Sequence, residues 1–196
     1  MRRRPDGDQR RRELCDAAIT VLATQGAKGL SHLKVDRAAA VAEGTTSAYF
    51  RTRSALLVAI AERVVELDLT GLARAESLSG DGDQQPLRLA DVLASAATEP
   101  HLTRAKARHE LNMLATRESA LVDVMRHANE GFMKLYRDMM LRLVPGGHDL
   151  PTAVVDDLSD ITQTFISGLL GRYAINDFSI SDPDQIDRLI RRMVQP

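Results

Sequence analysis

SHLKVDRAAAVAEGTTSAYFRTRSALL, residues Ser31 to Leu57, decides how the rest of this chain is read. The segment divides into a short helix over about 32–39, a tight turn, and a second short helix over about 44–49. An aromatic pair and a new helix start follow. A second helix of that size, rich in small polar residues, is the layout of a helix-turn-helix, whose second helix enters the major groove of DNA.

Working outward, a first helix is expected from about Gln9 to Thr24. Leu14, Ala17, Ala18, Val21 and Leu22 recur there at three- and four-residue steps. Gly26 is placed as its left-handed C-cap, and Ser31 to cap the next helix. Thr52 caps a long fourth helix through Leu56, Ile60, Val64 and Leu67. SLSGDGDQQP (77–86) reads as a linker, and PGGHDLP (145–151) as a further break. Between and beyond them, helical periodicity spans about 87–98, 102–117, 119–144, 152–175 and 183–194. No strand-like alternation competes. The expected architecture is all-α with about nine helices: residues 1–57 as a three-helix DNA-binding domain with a basic arm, and residues 58–196 as a second helical domain.

The 196 residues are enough for one sizeable core or for a small domain fused to a larger one. A net charge of −1 conceals an asymmetry: 11 Lys/Arg against 6 Asp/Glu through Leu56, and 15 against 21 thereafter. Opposite signs in the two parts suit a nucleic-acid-contacting module joined to a domain kept away from the polyanion. A lone cysteine, Cys15, forms no intramolecular disulfide and suits a reducing cytoplasm. It reads as a small residue at the edge of the first helix's apolar face. No apolar run approaches the length of a membrane span, and MRRRPDGDQRRR lacks the apolar segment of a secretory signal. His-Glu-x-x-His, Gly-x-Ser-x-Gly, a phosphate-cradling glycine loop and paired cysteines are all missing, so neither an enzyme nor a cofactor or metal site is expected.

Residues from about 10 to 57 resemble the N-terminal domain of the TetR family of bacterial transcriptional regulators. The likeness rests on TQGAKGLS (24–31), on Val35, Ala39 and Val41, on GTTSAYF (44–50) and on RTRSALL (51–57). The family's pattern at these places is Gly-Leu-Thr/Ser, Ala-Gly-Val, Gly-Thr-Leu-Tyr before an aromatic pair, and Ser-Lys-x-Ala-Leu-Leu. Three departures stand out. The turn glycine is Ala40, the usual small residue of the second helix is Asp36, and the Leu-Tyr pair is Thr46-Ser47. Forcing Ala40 into a left-handed conformation would cost roughly 1 kcal/mol.

The expected DNA-contacting set is Ser31, Lys34, Glu43, Gly44, Thr45, Thr46, Ser47, Tyr49 and Arg53. Free backbone N–H groups at the recognition helix's start would favour a phosphate. Thr45 and Tyr49 offer hydroxyls to phosphate oxygens, and the resemblance puts Arg53 at the family's phosphate-binding lysine. Glu43, Thr46 and Ser47 are short enough for base edges, and Gly44 allows close backbone approach. Arg2–Arg4 and Arg10–Arg12 read equally as a minor-groove arm or as a nonspecific electrostatic tail.

The resemblance implies a C-terminal ligand-binding and dimerisation domain without identifying the ligand. Arg108, His109, Asn112, Met113, Arg117, Met133 and Tyr136 are the candidate ligand contacts, methionines supplying adaptable apolar walls. Leu158, Ile161, Phe165, Gly168 and Leu169, with Ile186, Leu189, Ile190 and Met193, are the candidate dimer interface, and intramolecular core is the competing reading. The whole reads as a cytoplasmic homodimeric regulator of a double-stranded operator, released by a small, mainly apolar effector. A ligand-independent regulator and a helical small-molecule-binding or interaction protein remain the alternatives.

Overall fold

The computed structural model describes residues 7–78, 88–144 and 149–194. Among them are nine α-helices and no strand: α1 (Gly7–Gly29), α2 (His32–Ala38), α3 (Thr45–Tyr49), α4 (Arg53–Leu78), α5 (Leu89–Ser95), α6 (His101–Ala115), α7 (Ser119–Leu143), α8 (Thr152–Ala174) and α9 (Pro183–Val194). Arg2–Arg4 and most of the expected 77–86 linker lie outside the described residues. Ser77 and Leu78 belong to α4 instead, and α1 opens at Gly7, two residues ahead of the expected Gln9.

The helix starts follow from local chemistry. Ser31 caps α2 by accepting the Lys34 amide at 3.3 Å, and Thr52 caps α4 by accepting the Ala55 amide at 3.0 Å. Asp182 accepts the Gln185 amide at 3.0 Å ahead of α9, whose first residue, Pro183, has no amide hydrogen to leave unpaired. Gly26 interrupts α1 with φ 66° and ψ 179°. This is not the left-handed helical cap that was expected but an extended conformation at positive φ, open essentially to glycine alone.

The chain forms two compact units, residues through Glu66 with Lys106–Arg126, and Leu67–Ala105 with His127 onward. The first is built on Leu14, Ala18, Leu22, Val35, Phe50, Leu56, Leu57, Ile60 and Val64, each at most 2% exposed. Cys15 is buried with them. Arg63 ties α4 to α1 through a forked pair of bonds to Asp16, at 2.8 and 3.1 Å.

In the second unit α9 packs on α5 and α8. Ile186 and Ile190 face inward from α9, and Val155, Ser159, Thr162, Ile166, Leu169 and Tyr173 form the buried face of α8. Of the α8 residues expected at a dimer interface, Leu158, Ile161, Phe165, Gly168 and Leu169, only Leu169 lies on this buried face. The Tyr173 hydroxyl donates to the Ile180 carbonyl at 2.6 Å, and burial pushes its pKa up to about 12. No helix among the described residues is long and apolar enough to cross a membrane.

Candidate nucleic-acid interface

At five residues, α3 is too short to hold itself helical in water. Contacts at both of its ends supply what its length cannot. After α2 the chain turns at Ala40, which takes φ 52°, as its place in the glycine position of the turn requires. The Val41 amide bonds back to the Asp36 carbonyl at 3.0 Å, and Gly44 enters α3 at φ 90°.

Asp36 is the organising residue. Only 1% exposed, its carboxylate accepts the Gly44 amide at 2.8 Å, the Thr46 amide at 2.7 Å and the Thr46 hydroxyl at 2.5 Å. Burial alone would raise the carboxyl's pKa. The bonds from Thr46 and Gly44, with His32 nearby, outweigh that and hold it below the ordinary carboxylate range. An anion from α2 thus caps the positive end of α3.

Two expectations are corrected by this arrangement. The first amides of α3 are not open to a phosphate: the Ala42 carbonyl takes that of Thr45, and Asp36 takes that of Thr46 together with that of Gly44 just before the helix. Thr46 does not approach a base edge either: it has no exposed surface and its hydroxyl belongs to Asp36.

The other end is held by α1 and α2. Phe50 is 2% exposed, and its carbonyl lies 2.7 Å from His32 Nε2. Arg11 donates from Nη1 to the Tyr49 carbonyl at 3.4 Å and places its guanidinium 4.8 Å from the Phe50 ring centre, a cation–π contact. Arg10, Arg11 and Arg12 lie within α1, so they form no extended arm. Arg10 pairs with Glu13 at 2.7 Å.

What α3 and its flanks leave outward is polar and short. Lys34, Glu43, Gly44, Ser47 and Arg53 are exposed, while Thr45 and Tyr49 are half-buried. Thr45 and Ser47 return their hydroxyls to the Ala42 and Gly44 carbonyls, at 2.6 and 2.9 Å. Lys34 Nζ donates to Gln25 Oε1 at 2.6 Å, and Ser31, though exposed, is engaged as a cap. Sequence reasoning passed over Arg37, Ala48 and Arg51, all exposed. Arg37 lies 3.5 Å from Glu43, and Ala48 and Arg51 adjoin Ser47 and Arg53 in sequence, a proximity that was available as a signal.

The candidate ligand residues divide between the units. Arg108, His109, Asn112, Met113 and Arg117 belong to the first, Met133 and Tyr136 to the second. In the first unit an open groove of about 360 Å³ is lined by Gln25 to Lys28 and by Glu110, Met113, Leu114 and Arg117. Arg108, His109 and Asn112 are not among its walls. Met133 is half-buried and Tyr136 is 5% exposed, its ring stacked 6.2 Å from that of Phe132.

The candidate dimer residues also divide. Leu169, Ile186 and Ile190 are core within the protomer, as their burial shows, and Leu158 packs partly against Met140, Val144 and Val155. Ile161 is 47% exposed, Gly168 is exposed, and Phe165, Leu189 and Met193 are half-buried. Val154 and Ile175, exposed on the same helix and just past its end, continue the stripe of Ile161 and Gly168.

No family model matches the chain, and no curated protein matches it. Solved structures do. A protein from Rhodococcus sp. assigned to the TetR family of transcriptional regulators superposes with a TM-score of 0.72 at 20% identity, over 96% of this chain and 100% of that one. A transcriptional regulator from Pseudomonas aeruginosa PAO1 gives 0.76 at 18% identity, over 97% and 91%. The multidrug binding protein EbrR, complexed with ethidium, gives 0.65 at 25% identity, over 95% and 99%. The chain therefore resembles the TetR family along its whole length in fold.

Proposed function

We propose that this chain, built on the fold of TetR-family regulators, is a DNA-binding repressor that grips a palindromic operator as a homodimer. The observation that carries the reading is α3. A five-residue helix is fixed at one end by Asp36 and at the other by His32 and Arg11, and turns Ser47 and Ala48 to solvent. A peptide held that rigidly, with small outward side chains, suits insertion into a major groove about 12 Å wide. Lys34, Arg37, Arg51 and Arg53 supply the surrounding positive charge for phosphates. Glu43 and Ser47 are the proposed base readers, with Gly44 giving close approach, and Thr45 and Tyr49 add phosphate contacts from their half-buried positions.

In this reading residues 1–57 form the DNA-binding domain, and residues 58–196 form the ligand-binding and dimerisation domain. The exposed stripe of α8 through Ile161, Phe165 and Gly168 pairs with its copy across a two-fold axis. A palindromic operator requires the two α3 helices one helical repeat, about 34–36 Å, apart. A small, mainly apolar effector changes that spacing, the likeness to a multidrug-binding protein supporting this class. Coupling of this kind is worth about 1–3 kcal/mol, a 5- to 150-fold change in operator affinity.

The test is fluorescence anisotropy against duplexes selected from a random pool and against DNA flanking the chain's own gene. Saturable binding with a two-fold symmetric footprint, weakened by lipophilic compounds, is the expected result. Symmetric binding that no compound in a broad lipophilic panel alters would favour a ligand-independent regulator. Failure to bind any duplex would remove the proposal.

A further inference from the structure

The kink of α1 opens a short relay of polar contacts inside the first unit. Because Gly26 leaves helical geometry, the Ala27 amide is taken up by Glu110 Oε2, at 3.0 Å. The carbonyl of the same residue accepts Arg53 Nη2 at 2.9 Å, and Arg53 Nη1 lies 3.6 Å from Glu118 Oε1. Arg53 and Glu118 are 43% and 38% exposed at their side chains, so both reach solvent.

We propose that Arg53 is a shared cation. In the free protein it is held by the Ala27 carbonyl and by Glu118, and Glu118 is a built-in competitor for the DNA phosphate that Arg53 grips. This deepens the DNA-binding reading and rests on it.

The chemistry follows from the guanidinium's fixed fork. A bidentate grip on a phosphate uses two N–H donors in one plane, and both terminal nitrogens of Arg53 already face acceptors. Of its five N–H donors these contacts take at most two, so what opposes a phosphate is the carboxylate's charge beside the arginine and not a lack of donors. The Ala27 bond is a well-formed hydrogen bond, whereas the Glu118 contact lies beyond hydrogen-bond length and is an ion pair only. Glu118 is therefore the partner that yields. Once a phosphate takes its place, the displaced carboxylate sits well within a Debye length of about 8–10 Å and repels it. Glu118 consequently lowers affinity for duplex, while Ala27, fixed by Glu110, aims the arginine. Glu118 is a tuning residue that acts through Arg53 and touches no base.

The experiment uses the full-length protein and a labelled duplex selected from a random pool, with affinity measured between 50 and 200 mM KCl. Glu118→Gln keeps the side chain's shape and removes its charge. It should bind about two- to fivefold more tightly at the low-salt end, the scale of one exposed ion pair. Its log K against log salt should be steeper by up to about 0.9, the increment of one completed phosphate contact. Both gains should vanish in the Arg53→Ala background. An unchanged thermal midpoint for Glu118→Gln excludes a folding effect.

Wild type that binds duplex while Glu118→Gln binds equally or more weakly would overturn the shared-cation proposal alone. A gain that persists without Arg53 would overturn it too, since Glu118 would then act only as general negative charge. Wild type that binds no duplex would overturn the DNA-binding reading together with this one.

Discussion

Replacing Asp36 with alanine tests the account of α3 most severely. The substitution removes the acceptor of three hydrogen bonds, from the Gly44 amide, the Thr46 amide and the Thr46 hydroxyl. These losses differ in kind. Gly44 is exposed, so water can take up its amide, whereas Thr46 has no exposed surface. Its amide and hydroxyl are left stranded at about 1–2 kcal/mol each, a cost that already contains the lost helix cap. A total near 3 kcal/mol is expected, a large part of the roughly 5–15 kcal/mol that holds a typical domain together.

Amide hydrogen exchange reads that loss at the site itself, which suits a chain of two compact units better than one global transition. Protection at Thr46 should fall roughly 100-fold, and duplex binding should weaken with it. Thr46→Val, which removes only the hydroxyl, should cost about 1 kcal/mol. The pH dependence has a fixed sign. The carboxyl is depressed in the folded chain, so its contribution is complete above the unfolded value of about 3.9 and is lost as pH falls through the folded one. Thr46 protection, corrected for intrinsic exchange, should hold at neutral and mildly acid pH and collapse only below about pH 4. Asp36→Asn should remove that step. Protection unchanged in Asp36→Ala, or a loss under about 1 kcal/mol, would refute the idea that this carboxylate builds the helix.

Three further predictions concern other parts of the chain. Ala40→Gly relieves a positive φ at the expense of a looser unfolded chain, so the guanidinium midpoint should rise by the equivalent of about 0.5–1 kcal/mol. Cys15 is buried and its thiol pushed up to about 11, by burial first and by Asp16 second. A maleimide at pH 8 should leave it unmodified until the chain is unfolded. Ile161→Glu should convert a dimer to monomers in sedimentation without loss of helix, whereas Ile186→Ala should cost about 2–5 kcal/mol of stability, because only the second is core. Monomers from Ile186→Ala but not from Ile161→Glu would reverse the interface assignment.

The elements legible in the sequence were those set by neighbours along the chain. Ser31 and Thr52 as caps, and Pro183 as the start of α9, need only local geometry, and the structure has them as read. The turn at Ala40 was legible through the resemblance, whose pattern has a glycine at that place. Asp36 was not. As a departure from a family pattern it read as a difficulty, since its partners, 8 and 10 residues on, become neighbours only after the turn has formed.

On α8 the failure had another cause. The helix is apolar on two sides, one of Val155, Thr162, Ile166 and Leu169, the other of Val154, Ile161 and Phe165. Periodicity cannot say which side meets its own chain. Candidate ligand residues were harder still, because a list of methionines and polar groups does not specify which of them line one groove. The structure puts Met113 and Arg117 in such a groove, beside the kink of α1 at Gly26, far along the chain from the middle helices.

The division of labour along α3 sets what a substitution costs at each position. Thr46 points inward and carries the helix, while its neighbours Ser47 and Ala48 point outward and bury nothing. On the DNA-binding reading, substitutions at those two positions alter what is recognised with little penalty in folding. Change at Thr46 or Asp36 carries a folding cost that change at Ser47 or Ala48 does not. On that reading, the latch separates the residues that hold the helix from those that face a duplex.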